Sequence, residues 1–177
     1  MNVYNGRPIN TTGREEREIK AYDLLDRLGV KYTRVDHAPA MTMSVCADID
    51  AALEATMCKN LFLCNRQKTE FYLLMMPGDK SFKTKVLSAQ LGTSRLSFAE
   101  AEYMEKYLGV TPGAVTVLGL VNDKENDVTL LIDSDILNAE YVGCHPCVNT
   151  SSIRIKISDL TEKILPSISH RFITVDL

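Results

Sequence analysis

The sequence predicts a single α/β domain in which helices wrap a mixed, largely antiparallel sheet. The β-rich runs occur in pairs separated by short polar loops, which is typical of antiparallel hairpins. Helical segments are interspersed among them without the regular strand-helix alternation of a doubly wound fold. At 177 residues the chain can form one substantial core, so we expect residues 1 to 177 to be one domain.

The first half of the chain contains one clear helix and one clear hairpin. Residues 1 to 12 are expected to be an irregular N-terminal extension. Thr12 and Glu15 have the spacing of a capping box, and an apolar stripe at helical spacing then continues to Gly29. A strand, a short helix and the two arms of the hairpin follow at residues 30 to 37, 44 to 53, 59 to 65 and 70 to 76.

The second half begins with two surface helices, residues 83 to 91 and 98 to 108, each followed by a glycine. Ser97 and Glu100 suggest a capping box for the second of them. The remaining predicted elements are a second hairpin (115 to 121 with 128 to 133), a short helix near 136, strands near 141 and at 153 to 157, a helix at 159 to 165 and a last strand at 172 to 175.

Charge and composition limit the classes of partner. The formal net charge is -3 and the sequence pI about 5.6, which argues against a protein that coats long DNA or RNA by neutralising phosphates. A local contact with RNA remains open, because the segment 59 to 85 carries six basic residues against Glu70 and Asp79. On charge alone, however, an ordinary mixed surface explains this segment more simply.

The cysteines and the N-terminus predict a cytoplasmic protein. The five cysteines are odd in number and sit within or beside apolar runs, so we interpret them as small apolar side chains in a reducing compartment. The first residues lack the pattern of a signal peptide, and no apolar run approaches the roughly 20 residues that a membrane helix needs.

Two kinds of chemistry can be considered and set aside. Cys144, His145 and Cys147 are metal-ligand types, but neighbouring strand residues point to opposite faces and no second Cys/His pair completes four ligands. Cys144 and His145 are equally unsuited to form a nucleophile-base pair. Since the turn at 109 to 113 also lacks a P-loop ending, we expect no metal and no cofactor.

Lys59 and the glycines are ambiguous when each is taken alone. Lys59 begins an apolar strand, so it is either an edge residue that reaches water, which is the more common case, or a buried cation that awaits an anion. Glycines such as Gly119 and Gly143 indicate only turns or close backbone approach.

Five motifs in order give the sequence a family resemblance. They are residues 37 to 42 (HAPAMT), 59 to 63 (KNLFL), 78 to 80 (GDK), 109 to 116 (GVTPGAVT) and 143 to 150 (GCHPCVNT). Together they resemble the YbaK-like aminoacyl-tRNA deacylases over roughly residues 15 to 175. Within that family the sequence is most similar to the free-standing prolyl-tRNA editing group, called ProXp-ala or PrdX, which resembles the editing domain inserted in bacterial prolyl-tRNA synthetase.

This resemblance implies an activity, a fold and partners. The activity would be hydrolysis of the ester between alanine and the 3′ end of tRNA-Pro. Proline activation sites reject the smaller alanine poorly, so a second sieve is the physical remedy. The implied fold is the editing-domain mixed sheet wrapped by helices. The implied partners are the 3′ end of aminoacyl-tRNA and, transiently, prolyl-tRNA synthetase.

The resemblance also assigns roles to residues. Lys59 would hold the phosphate or terminal ribose, the turn at Gly113 would offer backbone groups to the reacting ester, and His145 would be either a general base or a structural hydrogen-bonding residue. The residues expected to bind substrate are Thr42, Val45, Asn60, Lys80, Pro112, Gly119, Gly143, Asn149 and Thr150. Water and the hydroxyl of the tRNA, rather than a side-chain nucleophile, would carry out the attack.

Two departures from the family pattern leave the removed amino acid open. Many members carry Pro-Phe where this chain has Val117 and Leu118, and the loop at 41 to 45 also differs. Alanine is our choice, and serine and cysteine esters are the competitors. The alternative function is a non-catalytic paralogue that senses aminoacyl-tRNA or an amino acid.

Overall fold

The computed structural model describes residues 1–39, 43–55 and 57–177. It is an α/β domain with two sheets, of four and five strands. The strands are β1 (Val3–Asn5), β2 (Thr33–Asp36), β3 (Cys58–Cys64), β4 (Phe71–Pro77), β5 (Ser97–Phe98), β6 (Val128–Asp133), β7 (Tyr141–Cys144), β8 (Ser151–Lys156) and β9 (Phe172–Val175). The helices are α1 (Glu16–Arg27), α2 (Met43–Leu53), α3 (Thr84–Leu91), α4 (Ala101–Tyr103), α5 (Ser134–Leu137), α6 (Ile157–Asp159) and α7 (Leu165–Ser167).

The four-stranded sheet has the order β1-β2-β8-β7 and is antiparallel throughout. Its register places Val35 opposite Ser152, and Arg154 opposite Gly143. Strand β1 lies within the stretch predicted to be irregular, where Gly6 N-H also donates to Tyr32 O at 2.9 Å. The sheet therefore extends almost to the N-terminus.

The five-stranded sheet has the order β5-β3-β4-β6-β9 and mixes both pairings. Strands β3 and β4 form the predicted antiparallel hairpin, whereas β4 with β6 and β6 with β9 are parallel. Five of the seven strand pairs in the two sheets are antiparallel, so the prediction of a mixed, largely antiparallel sheet wrapped by helices is confirmed.

The predicted second hairpin is wrong. Residues 117 to 122 form a 3₁₀ helix rather than a strand, and β6 pairs with β4 after a long crossover. Parallel strands require such a crossover, which the segment between residues 78 and 127 supplies. The apolar run at 117 to 120 is buried on all sides, and a short buried helix and a short buried strand look alike in sequence.

The two predicted capping boxes are also wrong. Glu15 and Glu100 are themselves the N-cap residues of α1 and α4, and neither side chain makes a capping hydrogen bond. Before α1, Arg14 N-H donates to Thr11 O at 3.1 Å, so the chain forms its own turn there. Each predicted helix is present, and α4 and α6 continue as π-helical turns, Met104–Leu108 and Leu160–Ile164.

The main hydrophobic core lies between the sheets and joins them. It contains Phe62 and Leu73 from the five-stranded sheet and Ile153 and Ile155 from the four-stranded sheet, each at most 1% exposed. A smaller cluster around Val35, Ile49 and Leu53 fixes α2 on the outer face of the four-stranded sheet. Within the described ranges, no helix has the length and apolar character needed to cross a bilayer.

Candidate functional site

The candidate site lies where the two sheets meet. Met57, just before β3, forms an isolated parallel bridge with Gly143 of β7, and α2 lies across this junction. A cavity of about 470 Å³ opens there, within the usual size range of small-molecule pockets. Its lining residues are Cys46, Ala47, Ile49, Asp50, Met57, Cys58, Lys59, Gly78, Asp79, His145 and Ser152.

Two glycines allow the backbone at Met57 to form one wall of this cavity. A Cβ atom at Gly78 would lie 2.6 Å from Met57 O, and one at Gly143 would lie 3.1 Å from Met57 Cα and 2.6 Å from its Sδ. All three distances are shorter than a normal van der Waals contact. The close backbone approach predicted for Gly143 is therefore present, and Gly78 has the same function on the opposite side of Met57.

Lys59 lies beside these glycines on β3 and lines the cavity. Its Nζ donates a hydrogen bond of 2.8 Å to Lys80 O, which holds the side chain in place. Among the described residues no carboxylate pairs with it. Because an ammonium carries three donors, two remain for an anionic ligand. The structure therefore favours the second reading of Lys59, a partly buried cation that can receive a phosphate.

His145 follows β7 and lines the opposite side of the same cavity. Its Nδ1 lies 3.0 Å from Ser151 O. A carbonyl oxygen only accepts, so Nδ1 carries the proton and Nε2 carries a lone pair. Burial lowers the pKa of His145, and the neighbouring His37 acts in the same direction. No described residue bonds Nε2, so a neutral imidazole presents a free acceptor.

His37 and Ser152 complete this side of the site, and neither was predicted as a functional residue. His37 Nδ1 lies 2.8 Å from Ala38 O, and its Nε2 lies 2.9 Å from Ser152 Oγ. The same hydroxyl lies 3.4 Å from His145 Nδ1, and the two imidazole centroids are 6.3 Å apart. Nothing in the sequence near Ser152 indicates this contact, which arises from the pairing of β2 with β8.

Lys80 is predicted to bind substrate, and in the structure its side chain contacts two carboxylates, Asp133 and Asp135. Its Nζ lies 3.0 Å from both carboxylate oxygens of Asp133 and 2.8 Å from Asp135 Oδ2. The hydrogen bond to Asp135, followed by those to Asp133, raises the pKa of Lys80. Since Asp133 is fully buried, the lysine neutralises a charge that has no access to water. Only the backbone carbonyl of Lys80 reaches the site, through Lys59.

We therefore expect Lys80→Met to act mainly on stability. The change leaves the Asp133 carboxylate buried without its cation, and should lower the free energy of unfolding by about 2 kcal/mol, less than for a fully buried pair because Lys80 is partly in water. Urea denaturation measures this loss. Lys68→Met, which breaks an exposed pair with Glu100, is the matched control and should leave the stability close to that of the wild type. A tRNA-binding defect in Lys80→Met without loss of stability would instead support the substrate-binding role predicted for Lys80.

Several of the other predicted residues do not line the cavity. Pro112 and Gly113 lie in an exposed turn, where a Cβ at Gly113 would approach Asn149 Nδ2 at 3.5 Å, so this turn adjoins the 145 to 150 loop without lining the cavity. Thr150 is exposed, and its carbonyl accepts from His37 N-H at 3.0 Å. Gly119 is buried against Leu108, where a Cβ would lie 2.9 Å from Leu108 O. It does not line the cavity.

The last predicted residues lie on α2 and β3. Val45 packs against the cluster that anchors α2. Asn60 points to the other face of β3 from Lys59, where its Nδ2 lies 3.3 Å from Cys58 Sγ and no described residue donates to its buried Oδ1. Thr42 lies outside the described residues.

Three buried cysteines, Cys58, Cys144 and Cys147, are unsuited to nucleophilic catalysis. Burial raises the pKa of Cys58 and Cys147 to about 12 and that of Cys144 further, whereas the reactive form of cysteine is the thiolate. All five thiols are free. In the part of the chain that the structure describes, no three His, Cys, Asp or Glu side chains converge as metal ligands would.

Comparison with known proteins identifies the class to which this fold and site belong. The family model for the aminoacyl-tRNA editing domain matches residues 37–163. The chain belongs to this family, and the prediction of a YbaK-like aminoacyl-tRNA deacylase is confirmed.

Individual relatives are consistent with the editing group predicted from the motifs. The chain is 31% identical to the prolyl-tRNA editing protein ProX of Acetoanaerobium sticklandii, over 86% of this chain and 93% of that protein. It is 29% identical to prolyl-tRNA synthetase associated domain-containing protein 1 of Danio rerio, over 78% of this chain and 76% of that protein. A crystal structure described as a trans-editing enzyme for prolyl tRNA synthetase has the same fold, with a TM-score of 0.68 at 17% identity, covering 92% and 97% of the two chains.

Proposed function

We propose that this protein is a free-standing hydrolase that removes alanine from mischarged tRNA-Pro. The observation that carries the proposal is that Lys59 and the neutral ring of His145 line one cavity at the meeting point of the two sheets. A cation there can hold the anionic 3′ end of the tRNA, and an imidazole acceptor can bind the attacking water. The family membership and the prolyl-tRNA editing relatives support the same substrate class.

The proposed reaction is hydrolysis of the aminoacyl ester. Water adds to the ester carbonyl carbon, and the bond from that carbon to the ribose oxygen then breaks. The products are free alanine and a tRNA with an intact terminal hydroxyl. The water proton passes to the departing ribose oxygen through Nε2 of His145 or through the adjacent ribose hydroxyl. Nδ1-H of His145 stays bonded to Ser151 O and keeps the ring oriented.

Lys59 acts in this scheme by positioning the substrate. Its hydrogen bond to Lys80 O fixes one of its donors, so the remaining donors have a restricted direction. Holding the terminal phosphate or ribose at that point places the ester inside the cavity, and correct orientation alone can account for a large part of a catalytic rate. The apolar wall formed by Ile49, Met57 and Cys58 then suits a small aliphatic side chain.

The remaining expectations belong to this proposal. We propose that the protein acts in the cytoplasm, on the 3′ end of tRNA-Pro, and associates transiently with prolyl-tRNA synthetase. The name of the Danio rerio relative, a prolyl-tRNA synthetase associated domain, supports such an association. The whole chain acts as one domain in the proposal, with β1 of the N-terminal segment paired into the sheet.

A deacylation panel tests the proposal. The purified protein is incubated with tRNA-Pro charged with alanine, serine, cysteine or proline, and release of each amino acid is followed. We expect alanine to be released at least about tenfold faster than proline, because each extra methylene is worth about 1–3 kcal/mol in a hydrophobic pocket. Faster release of serine or cysteine would correct the specificity. Binding of all four tRNAs without turnover would instead support a sensing paralogue.

A further inference from the structure

A second concave surface adjoins the cavity on the outer face of the five-stranded sheet. It is lined by Lys59, Leu61, Phe82, Lys83, Thr84, Lys85 and Phe98, and we call it the β5 groove. We propose that the β5 groove binds the single-stranded 3′ tail of the tRNA and leads its terminal ester into the cavity. The proposal rests on the function proposed above and adds the path of the RNA.

Phe98 is the first reason for assigning this groove to RNA. Its side chain is 59% exposed on the edge strand β5, and its ring meets Phe82 edge to face, with centroids 6.1 Å apart. A packed, exposed aromatic ring offers a rigid face to solvent. Proteins that bind single-stranded nucleic acid use such rings to stack on bases, and the stacking tolerates any base sequence.

The cations of the β5 groove are the second reason. Lys83 and Lys85 are exposed at the start of α3, and in the described structure no carboxylate pairs with either of them or with Lys59. Two other exposed lysines, Lys20 and Lys68, do have acidic partners, Glu16 and Glu100 respectively. Unpaired cations beside an exposed aromatic ring suit a phosphate backbone with unstacked bases. An apolar partner protein would leave these three charges uncompensated.

The position of Lys59 joins the groove to the cavity, since its side chain lines both. Phe98 pairs with Leu63, four residues further along β3, so it lies roughly 13 Å from Lys59 at the usual strand rise. About four stacked nucleotides at 3.4 Å each span that distance. This matches the short unpaired tail that follows the acceptor stem of a tRNA. The terminal ribose would therefore lie at Lys59 and the first unpaired base at Phe98.

Binding of two RNA hairpins tests the proposal. Both carry an acceptor stem, and only one carries the unpaired 3′ tail; fluorescence anisotropy gives the Kd. We expect Phe98→Ala to weaken binding of the tailed hairpin roughly tenfold and leave the tailless hairpin unaffected, and Phe98→Tyr to retain binding. The double change Lys83→Ala with Lys85→Ala should reduce the slope of log K against log salt by about 1.4.

Controls come from the opposite edge of the same sheet. Ile173→Ala removes an exposed apolar side chain of β9, and Arg171→Ala removes an exposed cation beside it, so both should bind like the wild type. The proposal is overturned if Phe98→Ala binds the tailed hairpin with unchanged affinity, or if it weakens both hairpins equally. A wild-type protein that binds the tailed hairpin but hydrolyses no charged tRNA would refute the proposed function and leave the groove assigned.

Discussion

Replacement of Lys59 by alanine should lower kcat/KM for alanine release from alanyl-tRNA-Pro about 100-fold, which corresponds to about 2.7 kcal/mol of transition-state stabilisation. The loss is large because Lys59 is the lysine that lines the cavity and no described carboxylate competes for it. Removing one partner of a desolvated charge contact typically costs 2–5 kcal/mol. Steady-state kinetics with charged tRNA measure the effect.

Two variants separate this role from a general effect on charge or folding. Lys68→Ala removes a lysine from the far end of the same hairpin, where it pairs with Glu100, and should retain wild-type kinetics. Lys59→Arg keeps the charge but cannot reproduce the ammonium contact with Lys80 O, so we expect partial activity. Wild-type rates in Lys59→Ala, with its thermal stability unchanged, would show that the ester is positioned by other groups.

His145→Gln should lower kcat roughly 100-fold and should also remove the acid limb of the pH profile. In the proposed mechanism the neutral imidazole is the active form, and protonation below its pKa would remove the lone pair that receives the water proton. Burial lowers this pKa below its usual value of 6.5, so wild-type activity at pH 6.5 should remain above half of its plateau and should fall at lower pH. Single-turnover rates between pH 5 and 8 measure both effects.

Asp50 and Asp79 line the same cavity, so the variant is needed to assign the acid limb to His145. A limb that persists in His145→Gln would assign it to another group. Full activity in His145→Gln would show that His145 has only a structural role, through its hydrogen bond with Ser151 O. His37→Gln gives a useful comparison, because His37 contacts Ser152 and lies beside the His145 ring without lining the cavity, so the change should shift the limb more than it lowers the plateau.

The sequence predicted the local parts of this structure well. Apolar runs and the polar loop between them predicted the β3-β4 hairpin, since pairing with a neighbour in sequence depends on short-range patterning. Glycines correctly marked the ends of α3 and of the π-helical turn after α4, at Gly92 and Gly109, both in the left-handed region. Motif order also identified the family, because five weak signals in the right sequence are jointly specific.

Only the tertiary structure decided how these parts meet. The parallel pairing of β6 with β4 and β9 depends on crossovers, for which the sequence has no local signal. The family resemblance predicts that Lys80 binds substrate, whereas its contact with the buried Asp133, 53 residues away, has no signal in the sequence and arises from the fold.

The candidate site shows the same division between what the sequence predicts and what the tertiary structure decides. Lys59 and His145 could be named as candidates through the family resemblance, because each lies in one of the five ordered motifs. Ser152 could not, because it becomes a neighbour of His37 and His145 only through the register of β2 against β8. The sequence determines which residues carry charge or a titratable ring. The packing of two sheets against each other determines which of those residues share a cavity and which are neutralised by a buried partner.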